Sequence, residues 1–328
     1  MRSIRFRGVT LLELMVVMSI IAVLLGIGMA MLTESRKDMG LRAARATTLG
    51  ICRFARTGAR NARAPVILRV DPAGRWLTTV VRRPMAAWHF DDGSLAGAMG
   101  HTAEIHEGKI VDDGHVGSGV LFTAKSASST KTEKGGWIDG GRVPMMAPDQ
   151  GLIVEVWYRP VANRTQRVLI RKSGEFGILI DKGGVPAAFV GTEANGVDLK
   201  ATGAAIPESR WTKLGLMWDG KVLTLSVNDH PLARKAGTAV FAMGDAHVTI
   251  GSQEFPLDGE VDEVRIDALI EGSRYNLPDG LSIEGPPEIR FDATGALDAD
   301  LHTGPATLTV KSPVDSASVT VNMLGGSQ

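Results

Sequence analysis

Glu13 is a single carboxylate at the start of an otherwise apolar run. It lies within RGVTLLELMVV, residues 7–17, and no charged residue occurs from Leu14 to Leu32. That length is close to the roughly 20 residues with which a helix spans a bilayer. A carboxylate in such a segment costs a few kcal/mol unless it finds a partner, so Glu13 is predicted to be functional.

The residues before the apolar run are basic. Arg2, Arg5 and Arg7 precede Gly8, which predicts that the amino end stays cytoplasmic and that the rest is exported. A secretory signal peptide is the alternative, since Gly28-Met29-Ala30 offers a small-x-small cleavage box. Glu13 argues against that alternative, because a carboxylate in an apolar run is costly unless it finds a partner.

Charge divides the 328 residues into modules. Residues 1–87 hold fifteen Lys/Arg against four Asp/Glu, residues 88–268 eighteen against twenty-four, and residues 269–328 three against eight. A chain that is basic in front and acidic behind suggests separate domains. Cys52 is the one cysteine, which excludes an intrachain disulfide and favours a small buried hydrophobe.

A helix is predicted to continue beyond the apolar run. Small and apolar residues recur there at spacings of three and four, the pattern of one buried stripe: Leu41, Ala44, Thr48, Cys52, Ala55, Ala59 and Ala62. A basic stripe lies about 100° round the helix: Arg42, Arg45, Arg53, Arg56, Arg60 and Arg63. The basic stripe is either a solvated flank or a contact for acidic neighbours or nucleic acid phosphate.

The remainder of the chain has the pattern of strands. ILRVDPAGRWLTTV predicts a hairpin with Pro72 in its turn. From Ala87 onward, short apolar runs alternate with Gly, Asp and Asn turns about every ten residues, which is typical of a β-sandwich. Asp219-Gly220 between two apolar runs is a strong hairpin signal.

Gly8 followed by VTLLELMVVMSIIAVL resembles the processing signal of type IV prepilins and type II secretion pseudopilins. The resemblance implies that a prepilin peptidase cleaves after Gly8 and that Val9 becomes the methylated amino terminus. It also implies that Glu13 pairs with the free amino terminus of a neighbouring subunit during filament assembly. The helix followed by a hairpin resembles, more narrowly, the GspH/FimT class of minor pseudopilins.

The strand-rich segment resembles the concanavalin A-like laminin G family. AWHFDDG, GHVGSGVLF, LIVEVWYRP, RWTKLGLMWDGKVLTLSVND and LDGEVDEVRI occur in the family's order. Trp157, Trp211 and Trp218 are interpreted as core aromatics rather than sugar-stacking platforms.

These resemblances predict an α+β fold interrupted by a second domain. A long transmembrane helix packs on a small antiparallel pilin-like sheet, and an all-β concanavalin A-like jelly roll is inserted at a loop. The boundaries are a leader at 1–8, a transmembrane helix at 9–32, the pilin-like helix and first hairpin at 33–87, the insert at 88–268 and the returning sheet at 269–328.

Enzymatic activity is not expected. Retaining glycosidases on related sandwiches need two carboxylates about 5 Å apart. Strand alternation predicts Glu260, Asp262 and Val264 on one face, with Val where such hydrolases carry their second Glu. The chain also lacks G-x-S-x-G, P-loop and H-E-x-x-H motifs, and the following histidines lack zinc spacing and are interpreted as loop residues: His89, His101, His106 and His115.

The laminin G resemblance implies a structural Ca²⁺ where the first and last strands of the sandwich meet. Asp91 in FDDG and Asp262 in GEVDEV are the carboxylates that would hold it, with backbone carbonyls completing the six to eight oxygens that Ca²⁺ takes. In the alternative, these acids cap turns and pair with Arg265 or a nearby Lys.

The expected function is structural: a minor pilin or pseudopilin of a type II secretion or type IV pilus system that displays a lectin-like module. Its partners would be other pilins in a filament, prepilin peptidase, the bacterial inner membrane that it crosses once, and a glycan or secreted protein. One alternative is an adhesin for which the pilin part is only a mount. Another is FimT-like DNA uptake through the Arg stripe, which the acidic insert disfavours.

Overall fold

A computed structural model describes residues 11–62, 65–73, 75–91, 95–97, 99–123, 135–143, 151–162, 165–203, 205–242, 245–299 and 301–328. The side chains of residues 11–14 and 25–38 lie outside that description. Gly8, Val9 and Arg63 therefore lie outside the described residues, and Glu13 is described only as part of a helix.

Helix α1 spans Leu11–Ala62. Its sequence contains no proline, so nothing removes a backbone hydrogen bond along its length. The predicted apolar stripe is buried from Leu41 to Ala59, and Ala62 alone of that stripe is exposed because the helix ends there. No helix in the described part of the chain is long and apolar enough to cross a membrane.

The chain divides into two compact units, Met1–Thr79 with Gly272–Gln328, and Val80–Glu271. The predicted insert boundaries, residues 88 and 268, lie inside the second unit. Strand β2 crosses from the first unit into the second along the chain. Chain order gives β1 (Val66–Asp71), β2 (Trp76–Trp88), β3 (Glu104–His106), β4 (Lys109–Val111), β5 (Gly119–Phe122), β6 (Trp137–Arg142), β7 (Gly151–Pro160), β8 (Arg167–Lys172), β9 (Phe176–Ile180), β10 (Pro186–Gly191), β11 (Gly196–Lys200), β12 (Thr212–Trp218), β13 (Val222–Val227), β14 (His230–Ala236), β15 (His247–Ile250), β16 (Gly259–Glu271), β17 (Tyr275–Asn276), β18 (Ser282–Glu284), β19 (Glu288–Phe291), β20 (Ala306–Lys311) and β21 (Ser316–Val321).

The first unit packs the buried stripe of α1 on antiparallel strands. β1 pairs with β19, and β18, β20 and β21 form a separate three-stranded sheet. The core joins helix residues such as Ala44 and Cys52 to Leu68, Phe291 and Leu308. Cys52 is fully buried, so the prediction of a small buried hydrophobe is confirmed, and burial raises the pKa of its thiol to about 12.

The second unit is a β-sandwich, as the ten-residue spacing predicts. One sheet has the order β14-β13-β12-β7-β16-β2 with β5 beside β16 and β4 beside β5, and the other has the order β11-β10-β9-β8-β15-β6-β3. The core between them includes Trp88, Phe122, Tyr158 and Trp218, each fully or nearly fully buried. The Asp219-Gly220 hairpin forms as predicted between β12 and β13.

The predicted insert enters and leaves on paired strands. β2 and β16 are antiparallel, with Val80 opposite Glu271 and Val81 opposite Ile270. The two ends of the second unit are therefore neighbours, and a module of this kind costs little to insert into a loop.

One strand prediction is wrong. β16 carries a bulge between Asp262 and Arg265, and Glu263 has a left-handed φ of 48°. The bulge shifts the alternation by one residue. Val264 consequently lies in the sandwich core, and Arg265 takes the position on the face of Glu260 and Asp262 that the regular pattern assigns to Val264.

Candidate functional site

The structure brings the two predicted calcium ligands to one loop, residues 113–118. Ser118 N donates to Asp91 Oδ1 at 3.1 Å. Val116 N donates to Asp262 Oδ2 at 2.9 Å. Two carboxylates distant in the sequence therefore hold neighbouring residues of the same loop.

Glycine is required in this loop by close approach. Gly114 N donates to Gly117 O at 3.0 Å, which closes the turn. Gly117 has a φ of 59°, and a Cβ there would lie 2.1 Å from Asp91 Oδ1. Any side chain at residue 117 would displace either the loop or the carboxylate.

The backbone is strained beside both carboxylates. Phe90, next to Asp91, has a φ of 58°, and Glu263, next to Asp262, has a φ of 48°. Bulky residues rarely adopt left-handed conformations, and such residues cluster at binding sites where surrounding contacts enforce them. The two outliers flank the two acids that converge on loop 113–118.

Asp262 is a fully buried carboxylate. Burial raises its pKa to about 6, although hydrogen bonds from Val116 N and Glu263 N favour the charged form. Arg265 pairs with Asp267 at 2.9 Å, so the alternative pairing of Asp262 with Arg265 is wrong. Within the described ranges, no Lys or Arg pairs with Asp262.

A cation at Asp262 would satisfy this electrostatic arrangement. Ca²⁺ prefers carboxylate and carbonyl oxygens, and Asp91 and Asp262 are the carboxylates that would hold it here. No three His, Cys, Asp or Glu side chains converge on a metal position in the part of the chain that the structure describes. Further ligands would therefore come from the backbone, and the Ca²⁺ site stays a prediction.

An aromatic cluster covers the same loop. The His115 ring stacks on Trp157, with centroids 3.5 Å apart and planes at 16°, and meets the edge of Trp211 at 6.0 Å. Burial lowers the pKa of His115, with an opposing effect from Glu263. Trp157 and Trp211 are half-buried on the outer face of the sheet, so the core interpretation is wrong for both and correct for Trp218.

Arg159 links the aromatic cluster to acidic residues. Its guanidinium lies 5.0 Å from the centre of the Trp211 ring and pairs with Asp113 at 2.7 Å and with Glu260. Glu260 is thereby held in an ion pair. Sequence reasoning placed His115 in a loop but missed its contact with Trp157. It also missed Arg159, which alternation along β7 would have identified because it puts Trp157 and Arg159 on one face.

The basic stripe of α1 is not a uniform surface. Arg42, Arg53 and Arg60 are exposed, whereas Arg45 and Arg56 are partly buried. Arg45 Nε donates to Ser318 O at 3.0 Å. The stripe is therefore divided between contacts with the first unit's own sheet and solvent.

Comparison with known proteins identifies two segments. Residues 4–29 match the prokaryotic N-terminal methylation motif, and residues 135–269 match the concanavalin A-like lectin/glucanases superfamily. No curated protein matches the chain.

Solved structures resemble the chain at low identity. Domain 4 of AbnA, a GH43 extracellular arabinanase from Geobacillus stearothermophilus, in complex with arabinotriose, is 19% identical, with a TM-score of 0.45 over 58% of this chain and 95% of that chain. The binding domain of Paraclostridial Mosquitocidal Protein 1 is 12% identical, with a TM-score of 0.42 over 56% and 48%. The botulinum neurotoxin type G receptor binding domain is 10% identical, with a TM-score of 0.41 over 56% and 47%.

The two family matches and the observed sandwich agree on which domains the chain contains. The amino-terminal match contains Gly8, Val9 and Glu13, and the second match covers β6 to most of β16. The chain joins a type IV pilin-like amino-terminal motif to a concanavalin A-like, lectin-like domain.

Proposed function

We propose that the chain is a minor pilin or pseudopilin that carries a lectin-like binding module into a filament. The carrying observation is that one chain contains both a methylation motif at residues 4–29 and a β-sandwich placed between the two segments of the helix-containing unit. A secreted lectin would need no assembly motif. A pilin alone would need no sandwich.

The amino terminus supplies processing and assembly. Prepilin peptidase cleaves after Gly8, Val9 becomes the mature amino terminus, and Glu13 meets that amino group on a neighbouring subunit. The pairing compensates the cost of holding a carboxylate in lipid. The protein is then a single-pass protein of the bacterial inner membrane, with the residues that follow the membrane segment outside the cytoplasm.

The first unit supports a pilin-like α+β assignment. One helix lays its small-residue stripe on antiparallel strands, and the hairpin after the helix continues into the segment where the insert begins. This order of elements supports the GspH/FimT class. The type II secretion apparatus and the type IV pilus are both compatible with it.

The second unit serves in binding rather than catalysis. Glu260 is paired with Arg159, and Asp262 accepts hydrogen bonds from loop 113–118. These carboxylates are engaged in holding the fold instead of being poised as a general acid and nucleophile. A glycan or a secreted protein is the ligand class that we propose, with Ca²⁺ held by Asp91 and Asp262 neutralising the buried charge.

Processing is the primary test. Mass spectrometry of the membrane fraction should identify Val9 as the mature amino terminus when prepilin peptidase is present. Glu13→Ala should be processed normally but poorly incorporated into sheared filaments, whereas Glu34→Ala, outside the apolar run, should be incorporated. A mature terminus near Met31 would show a secretory signal peptide and overturn the proposal.

DNA binding is a second candidate, favoured by the exposed Arg42, Arg53 and Arg60. Binding through phosphate contacts weakens steeply with salt, whereas sugar binding hardly changes. Replacing all three arginines by Gln should abolish a salt-sensitive DNA shift. If the purified protein shifts no DNA at low salt, the nucleic acid role is contradicted.

A further inference from the structure

One end of the first unit carries exposed apolar side chains around a cavity. The cavity measures about 220 Å³ and is lined by Gly40 of α1 and by two turns, residues 278–281 and 312–313. Met39 and Val314 beside it are 59% and 69% exposed, and Pro278 and Pro313 are exposed as well. Several apolar groups at one place indicate a surface that something covers.

The turn that presents Val314 is rigid. Ser312 N donates to Asp315 O at 2.8 Å, and Ser312 Oγ accepts from Asp315 N at 3.0 Å. The turn joins β20 to β21, so its tip projects from a paired hairpin. Val314 is therefore held outward by the fold.

Two contacts fix the direction of this hairpin along α1. Ser318, early in β21, accepts from Arg45, while Gly325 beyond β21 approaches Arg56. β21 therefore follows the helix toward its carboxyl end. The turn at residues 312–315 lies beyond Arg45 in the opposite direction, toward the amino-terminal half of α1.

Helix rise places this end close to the apolar run. Eight residues separate Leu32, the last residue of the uncharged stretch, from Gly40, which at 1.5 Å per residue is about 12 Å. A headgroup layer occupies roughly 5–8 Å on each side of the hydrocarbon core. Met39 and the hairpin tip therefore lie next to that layer if the uncharged stretch fills the core.

Two ion pairs lie beside the cavity. Arg75 pairs with Asp279 at 3.2 Å, and Lys311 pairs with Glu284 at 2.5 Å. Each of these pairs has no net charge, so neither attracts an anionic surface. Contact through apolar side chains is the chemistry that the surface offers.

We propose that this apolar end, formed by Met39, Pro278, Pro313 and Val314, rests on the headgroup surface of the membrane that α1 enters. The inference rests on the membrane anchoring in the proposed function. The partner is lipid, contacted without need of anionic headgroups. The contact would hold the first unit against the membrane before assembly.

The single cysteine makes a direct test possible. Cys52 is fully buried, so an added surface thiol is labelled selectively. Val314→Cys and Leu324→Cys would each carry a nitrobenzoxadiazole probe on the full chain in phosphatidylcholine vesicles that contain a headgroup spin-labelled lipid. Leu324 is 77% exposed and adjoins Gly325 near Arg56, about 24 Å further along the helix than Gly40, so it is a matched control.

We expect the probe at residue 314 to be quenched at least twofold more than the probe at residue 324, without dependence on salt. Equal quenching of the two probes would overturn the inference. Shielding of the probe at residue 314 from solvent that appears only at high protein density would also overturn it, because a second subunit would then cover that residue. Flotation with the vesicles after alkaline washing is scored separately. A chain that fails to float contradicts the proposed function instead. Pro313→Cys provides a second position should Val314→Cys fold poorly.

Discussion

The His115 ring stacks on Trp157 with centroids 3.5 Å apart, while the next residue, Val116, donates its N–H to the buried Asp262. An aromatic contact and a carboxylate thus hold loop 113–118 at adjacent residues. The loop is fixed to β7 and to β16 together. Its conformation should therefore respond to the charge on Asp262.

Calcium should stabilise the protein through this loop. A ligand that binds the folded state alone raises the melting temperature by mass action. We expect the melting temperature to rise with added Ca²⁺ and to fall with chelator, and Asp262→Ala to abolish both responses. Asp139→Ala removes a half-buried acid paired with His247 and should leave the response intact. If neither calcium nor chelator changes the melting temperature of the parent protein, the predicted calcium site is contradicted.

Acidification should relieve the buried charge in the calcium-free protein. The pKa of Asp262 is raised from 3.8 to about 6, so the folded state holds this proton more tightly than the unfolded chain. The Asp262 contribution to the free energy of unfolding therefore decreases as pH rises from about 4 to about 6 and is constant above.

Asp262→Asn isolates that contribution. The lowered pKa of His115 acts oppositely, because it makes the folded state lose stability as pH falls, but both proteins retain it. We expect the stability difference between parent and variant to shift in the parent's favour on acidification, measured by urea unfolding with chelator. A difference constant with pH would contradict the raised pKa.

Gly117→Ala should be more damaging than an equivalent change elsewhere. Both Gly117 and Gly183 have positive φ, but a Cβ at residue 183 would meet nothing within 4 Å. Each variant loses about 1–2 kcal/mol for a left-handed alanine. Gly117→Ala should lose a further 1–3 kcal/mol, roughly, because its Cβ overlaps Asp91. Equal midpoints in chemical unfolding would show that the loop is not tightly packed.

The sandwich should fold alone when its first strand is complete. The side chain of Arg82 in β2 is largely buried and hydrogen-bonds Glu155 and Asp267 at 2.7 Å each. A fragment 80–271 retains this network, whereas a fragment 88–268 lacks the arginine and leaves Glu155 with Lys213 alone and Asp267 with Arg265 alone. Removing one partner of a buried ionic network is destabilising, so the longer fragment should melt at a higher temperature. Similar melting temperatures would show that the network contributes little.

Two arginines of α1 should differ in their effect on stability. Arg45 donates to Ser318 O and is partly buried, whereas Arg53 is exposed. Arg45→Ala should lower the free energy of unfolding by about 1 kcal/mol, and Arg53→Ala should change it by less than about 0.5 kcal/mol. Thermal unfolding of both variants in detergent would measure the difference, and a larger loss for Arg53→Ala would reverse the assignment of faces.

Most of the fold could be predicted from the periodic spacing of apolar residues and turn residues. The stripe from Leu41 to Ala59 predicted the buried face of α1 because a helix repeats every 3.6 residues, and the turn dipeptide at Asp219 predicted its hairpin because few sequences accept that backbone. Regular alternation failed at Glu263, since a bulge depends on tertiary contacts and has no strong local signal.

The site was predictable in part. Asp91 and Asp262 were found through resemblance, and the structure shows the loop that joins them. The aromatic cluster was not predicted, although alternation along β7 places Trp157 on the same face as Glu155 and Arg159 and opposite the apolar Val156 and Tyr158. His115 lies in a loop, where no period exists.

The discontinuity of the first unit sets an order of events during synthesis. β1 pairs with β19, so that sheet cannot close until residue 291 has emerged from the ribosome, whereas residues 80–271 form one uninterrupted module. Closing so long a loop as free chain is slow and entropically costly. Once the module folds, Val80 is paired with Glu271. The two segments of the first unit then begin from neighbouring residues, and the loop that remains to be closed is short. Folding of residues 80–271 would therefore assist folding of the first unit, because it brings the two segments of that unit together.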